Sequence, residues 1–85
     1  MPTVLRIGPY RFFFWSNESA EPPHVHLEAG DAHAKIWLAL VRLEKNDGYN
    51  PRALRRLPEL TVQHEQQILE RWHEHLGEHQ RDPRN

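Results

Sequence analysis

Apolar and polar positions alternate with a period of two through the first half of this chain and recur every three or four residues through the second. The first pattern is that of strands and the second that of amphipathic helix. Residues 3–7 read as a short strand closed by Gly8-Pro9. Residues 10–16 read as a second strand dense in rings: Tyr10, Phe12, Phe13, Phe14 and Trp15. Large rings on both of its faces place this strand centrally, with cover on each side. Residues 17–23 form a polar connection ending in Pro22-Pro23, whose fixed φ holds the chain extended as it enters the next strand.

Residues 24–40 read as a hairpin. Gly30-Asp31 supplies the two-residue turn, with glycine where a type II′ turn needs positive φ. Closing the chain there sets Glu28 opposite His33, His26 opposite Lys35, His24 opposite Trp37, Leu27 opposite Ala34 and Val25 opposite Ile36. One face of the hairpin is then entirely apolar. The other gathers His24, His26, Glu28, His33, Lys35 and Trp37. Residues 41–43 continue the hairpin or add a short strand, and residues 46–49 (Asn-Asp-Gly-Tyr) read as a turn.

Asn50-Pro51 is a helix start, with asparagine as N-cap and proline in the first turn. Leu54, Leu57, Thr61, His64, Ile68, Trp72 and Leu76 then form one apolar stripe. Pro58 interrupts it and removes a hydrogen bond to the Leu54 carbonyl, at about 3 kcal/mol in a helix interior. The expectation is a kink, or two helices over about 51–57 and 59–76. Gly77 is the expected stop, and residues 78–85 the expected disordered tail, leaving residues 1–77 as a single domain.

These elements make an α+β fold: a small antiparallel meander of about four strands, followed by a C-terminal helix or kinked helix pair packed on one face. Val25, Leu27, Ile36 and Leu38 are expected to meet Leu57, Ile68 and Trp72. The histidine face is left open to solvent or to a partner.

Eighty-five residues suffice for one domain with a modest core. The formal charge of −1 implies no bulk attraction to nucleic acid or to anionic membranes. With no cysteine, disulfides, thiolate catalysis and cysteine zinc sites are excluded. No basic-then-apolar leader and no membrane-length apolar run is visible, so the expected location is the cytoplasm. The seven histidines are the outlier, because imidazole is the side chain that changes charge near neutral pH.

His24 and His26, two residues apart on a strand, lie about 6.5–7 Å apart at Cα, a span over which both rings can reach one divalent metal such as zinc. Glu28 would be the third ligand, with His33 or water completing the shell. The same histidines can instead hydrogen-bond backbone or carboxylates and fix the strand after the two prolines. No cofactor beyond such a metal is expected. A third chemistry needs no metal: His26 as general base, with Lys35 stabilising an anionic transition state, as in small ribonucleases. Against it stands a plain cross-strand charge network.

Arg52, Arg55 and Arg56 share a helix face that is solvated, meets an acidic partner or, with Arg6 or Arg11, grips phosphates. Phe12, Phe13, Phe14, Trp15 and Trp37 are core rings or stacking platforms for RNA bases, with Trp37 the one expected to be exposed. His64 falls on the apolar stripe as a satisfied buried or boundary residue. His75 and His79 have zinc-binding helical spacing, weakened by the glycine between them.

Several segments together carry a family resemblance: the opening residues 1–18, then Glu-Pro-Pro-His-Val-His-Leu, Ala-Lys-Ile-Trp-Leu, Arg-Ala-Leu-Arg-Arg and Ile-Leu-Glu-Arg-Trp-His-Glu-His-Leu. Over residues 1 to about 77 the chain resembles the prokaryotic family catalogued as domain of unknown function 4160. Pro58 and the histidine-rich tail depart from its pattern. The family has no established activity. Its members are small bacterial and archaeal proteins, often encoded beside another small family, domain of unknown function 2442, in what looks like a toxin–antitoxin cassette. The resemblance therefore implies an interaction component that binds a small cognate protein. The alternative is a toxin of histidine-dependent ribonuclease or metal-dependent hydrolase type, centred on His24, His26 and Lys35.

Overall fold

The computed structural model describes residues 3–15 and 21–80, with side chains as far as His75. Five strands, β1 (Thr3–Ile7), β2 (Tyr10–Phe13), β3 (His24–Ala29), β4 (Ala32–Trp37) and β5 (Arg42–Asp47), precede two helices, α1 (Pro51–Gln63) and α2 (Glu65–Gln80). Every strand pairs antiparallel with its neighbour in sequence, so the sheet is a simple meander with β1 and β5 at its edges. The fold is α+β, with one more strand than the sequence suggested.

The β3–β4 hairpin has the register read from alternation, from His24↔Trp37 through Glu28↔His33. Gly30 has φ +58°, and no non-glycine residue described has positive φ, as a type II′ turn requires. The extra strand begins where residues 41–43 read as continuing the hairpin or adding a short strand, and β5 runs on through Asn46 and Asp47, which were expected to turn, before the chain bends at Gly48. Asn46 organises that bend reciprocally. Its Oδ1 accepts from the Tyr49 N–H at 3.0 Å, and its Nδ2 donates to the Tyr49 carbonyl at 3.2 Å. Gly48, at φ +104°, lies where a Cβ would come within 3.1 Å of the Ala32 backbone.

The apolar face carries the core. Phe12, Leu27 and Ala34 form one cross-strand row, and Val25 and Ile36 another. Both rows belong to a single buried cluster with Val4, Phe14, Leu38, Tyr49, Leu57, Leu60, Ile68 and Trp72. All seven residues expected at the sheet–helix interface are in it. Phe13 is also buried, on the other face, so β2 has cover on both sides as expected although it lies next to an edge rather than at the centre.

Asn50 caps α1, accepting from the Ala53 N–H at 2.9 Å, and Pro51 follows it. Of the two expectations, a division into separate helices at Pro58 is not what forms: α1 continues through Pro58 and the division falls at His64. Leu57, Leu60 and Thr61, all buried, anchor the helix on both sides of the proline, and this packing outweighs the lost bond. The Thr61 hydroxyl donates to the Leu57 carbonyl at 2.8 Å. At His64 the backbone leaves helical geometry (φ −117°, ψ 17°), and the ring Nδ1 donates to the Leu60 carbonyl at 3.0 Å. Gly77 does not stop α2, which runs on to Gln80. A glycine costs a helix interior only about 1 kcal/mol. Residues 81–85 of the expected tail lie outside the described residues. Among the described residues no helix is long and apolar enough to cross a membrane.

Candidate functional site

Strand alternation and the four registers lay out the polar face of the sheet as a grid. One row runs Arg6, Arg11, Glu28, His33, Asp47 across all five strands. The next runs Thr3, Phe13, His26, Lys35, Lys45, and a third joins His24, Trp37 and Arg42. The six residues read as one face are therefore together, and β2 adds Arg11, Phe13 and, just beyond its end, Trp15.

His26 is the centre of this surface. The residue is 3% exposed; its ring lies nearly parallel to Phe13 (centroids 5.4 Å apart, planes at 24°) and nearly coplanar with His33, which it meets edge to edge (5.0 Å, 19°). Its Nδ1 lies 3.1 Å from the Trp15 indole Nε1 and 2.9 Å from His33 Nε2. An indole N–H only donates, so His26 Nδ1 is the acceptor and its proton sits on Nε2. His33 then donates from Nε2. His26 is the shared acceptor of two side chains from two other parts of the sheet.

His24 is fully buried, which the sequence did not suggest for a face left open. Its ring packs edge-on against His26 and Trp37, at 5.3 and 5.7 Å between centroids, and against Trp72 of α2 at 5.1 Å. Its Nδ1 donates to the Pro22 carbonyl at 2.9 Å, while the Pro23 carbonyl accepts from the Leu38 N–H at 2.9 Å. The chain entering β3 is thus held at both prolines. His75 of α2, also buried, donates from Nε2 to the Trp15 carbonyl at 3.2 Å and packs on Phe14. Through Trp72 and His75, α2 closes this end of the polar face with the chain's own residues, where cover was expected from solvent or a partner alone. Hydrophobic burial of the Phe14 and Trp72 rings, in edge contact at 5.2 Å, draws the helix there. The Trp72 Nε1 is buried with no hydrogen-bond partner among the described residues.

Among the described residues, two ion pairs lie on the face. Arg11 donates to Glu28 at 2.7 Å and to the Thr3 hydroxyl at 2.9 Å, and its guanidinium lies 4.6 Å above the Phe13 ring. Lys35 donates to Glu21 at 2.5 Å and sits 4.9 Å above the Trp37 ring, whose N–H donates to Glu44 at 3.0 Å. Among the described residues no three His, Cys, Asp or Glu side chains form a group able to hold a metal ion. Glu28, proposed with His24 and His26, is turned to Arg11 instead. The arginines do not converge either: Arg52, Arg55 and Arg56 are exposed on α1, which packs on the apolar face, whereas Arg6 and Arg11 lie on the opposite face. Trp15, at 42%, is more exposed than Trp37. The side chain of His79 lies outside the described residues.

Alternation alone missed Trp15, Phe13 and Arg11 as members of the site. The signal was present, because Arg11, Phe13 and Trp15 are spaced two apart like Glu28, His26 and His24. Reading it needs the β2–β3 register, which no two-residue turn announces. Glu21, Trp72 and His75 had no local signal.

The pattern of a domain of unknown function, DUF4160, matches residues 10–73, which span β2 through the first half of α2 and contain every residue of the histidine face. The chain belongs to the DUF4160 family. No curated protein and no solved structure matches it significantly. The DUF4160 segment begins at β2, so the Phe13, Trp15 and His26 cluster falls within it and edge strand β1 does not.

Proposed function

We propose that this DUF4160 protein is a cytoplasmic interaction component of a two-gene, toxin–antitoxin-like module, binding a small cognate protein of the domain of unknown function 2442 type through the rim of its histidine face. The observation that supports this reading is the engagement of the two groups a catalytic reading needs. His26 Nδ1 accepts from Trp15 and His33, and the Lys35 ammonium is tied to Glu21. What the surface offers outward is Trp15, a half-exposed ring hydrogen-bonded to His26, the kind of anchor on which protein interfaces concentrate their binding energy. Charged side chains already paired around it, Arg11–Glu28 and Lys35–Glu21, suit a polar protein rim better than a polyanion such as RNA.

Co-expression with the product of the adjacent gene, followed by pull-down, tests this directly. The wild type is expected to retain that protein and Trp15→Ala to lose at least about tenfold in affinity. Retention unaffected by Trp15→Ala and by Lys35→Gln would refute the face as the docking surface. The second reading is a ribonuclease- or hydrolase-type toxin with His26 as base, Lys35 as anion stabiliser and a metal on His24, His26 and Glu28. It draws on the cross-strand adjacency of His26 and Lys35. Growth arrest on expression, abolished by Lys35→Gln with circular dichroism unchanged, would establish that reading in place of the first.

A further inference from the structure

The outer edge of β5 is exposed at all six positions, and its charges are ordered so that the strand complements itself when reversed. Run antiparallel to a second copy about the point between Glu44 and Lys45, Arg42 meets the partner's Asp47, Leu43 the partner's Asn46 and Glu44 the partner's Lys45. The twofold axis repeats each pair. Residues directly opposite in an antiparallel ladder share a face, and the observed registers satisfy this for every pair. Arg42, Lys45 and Asp47 pair with Trp37, Lys35 and His33 on the polar face, whereas Leu43 and Asn46 pair with Ile36 and Ala34 on the apolar face. The register shift beside Ile36 makes Glu44 the extra residue of a bulge, and its bond from the Trp37 indole keeps it on the polar face with Lys45.

We infer that β5 is the contact by which two copies of this chain associate, joining their sheets into one. Charge and a bulge normally blunt a sheet edge against indiscriminate pairing. Here the charges repel most strands and select a copy of this one. Two features of the isolated chain fit this. Among the described residues Arg42, Lys45 and Asp47 have no ion-pair partner. Lys45 is also directly opposite Lys35, a like-charge juxtaposition that is unfavourable across strands, and the partner's Glu44 brings the missing carboxylate to Lys45. Leu40, 79% exposed in the turn just before β5, lies beside the start of this edge. The association uses the edge of the sheet and does not rest on the reading of its histidine face.

Sedimentation velocity of the full chain at high micromolar concentration tests the contact. The wild type is expected at twice the 10.2 kDa chain mass and is expected to dissociate as salt screens the pairs. Arg42→Asp sets like charges opposite each other twice and is expected to weaken association at least about tenfold. Asp47→Arg does the same. The double variant Arg42→Asp/Asp47→Arg restores complementarity with the signs exchanged and is expected to recover the dimer. These positions are exposed, so circular dichroism of each variant is expected to match wild type. A wild type that stays monomeric overturns the inference, as does a dimer indifferent to either single reversal or a double variant that does not recover.

Discussion

Replacing Tyr49 by phenylalanine isolates one buried hydrogen bond and one titration. The Tyr49 hydroxyl donates to the Leu27 carbonyl at 3.0 Å beneath the sheet, and the residue is 8% exposed. Burial, then the neighbouring Tyr10 and Glu28, push its pKa up to about 12 from the ordinary 10.0. At pH 7 the substitution removes one net hydrogen bond and leaves a buried carbonyl short of a donor, a loss of about 1 kcal/mol. Above pH 10 the difference must shrink. The unfolded tyrosine there loses its proton while the folded one keeps it, so the unfolded state binds fewer protons and stability falls with rising pH until the folded value is reached. Each pH step in that window costs at most about 1.4 kcal/mol, less where water screens the hydroxyl. The variant has no such loss, so the two stability curves converge and cross at about pH 11. Urea denaturation of both proteins from pH 7 to pH 11.5 measures this. Parallel curves through pH 11, or equal stability at pH 7, would refute the reasoning.

Gly48→Ala forces a side chain into φ +104° and against the Ala32 backbone. It is expected to lose about 1–3 kcal/mol in chemical denaturation, and a neutral result would count against the observed bend. Pro58→Ala restores the amide donor to a helix that already runs through this position, and is expected to stabilise the protein by about 1–2 kcal/mol. A destabilised variant would mean the helix depends on a break there. Trp15→Phe removes the indole donor to His26 and is expected to cost about 1 kcal/mol. Imidazole ¹⁵N shifts should show His26 protonated at Nε2 in the wild type, and an Nδ1–H tautomer there would overturn the assigned direction of both bonds.

The β3–β4 hairpin was readable from the chain alone because everything that sets it is local. Gly30 supplies the one positive φ the turn needs, and a one-residue slip would have sent Val25, Leu27 and Ile36 to the wrong face. That is also why the six-residue face came out with its neighbours in order. The same locality made the Asn50-Pro51 helix start legible.

Choices between competing local signals were not legible. Pro58 and His64 both offered a place to divide the helical stripe, and the burial of Leu57, Leu60 and Thr61 selected the second. Asn46 and Asp47 carry turn chemistry, yet pairing with Ala34 and His33 holds them in β5. The histidine face shows the division most clearly. Which side chains share it follows from alternation. Its condition depends on contacts 11 to 60 residues apart in sequence: the Trp15 bond to His26 and the His75 bond to the Trp15 carbonyl, together with the Trp72 ring against His24. Periodicity assigns a residue to a face at no cost in chain entropy. What covers that face depends on burial won only when distant segments meet, and no window of sequence contains both sides of such a contact.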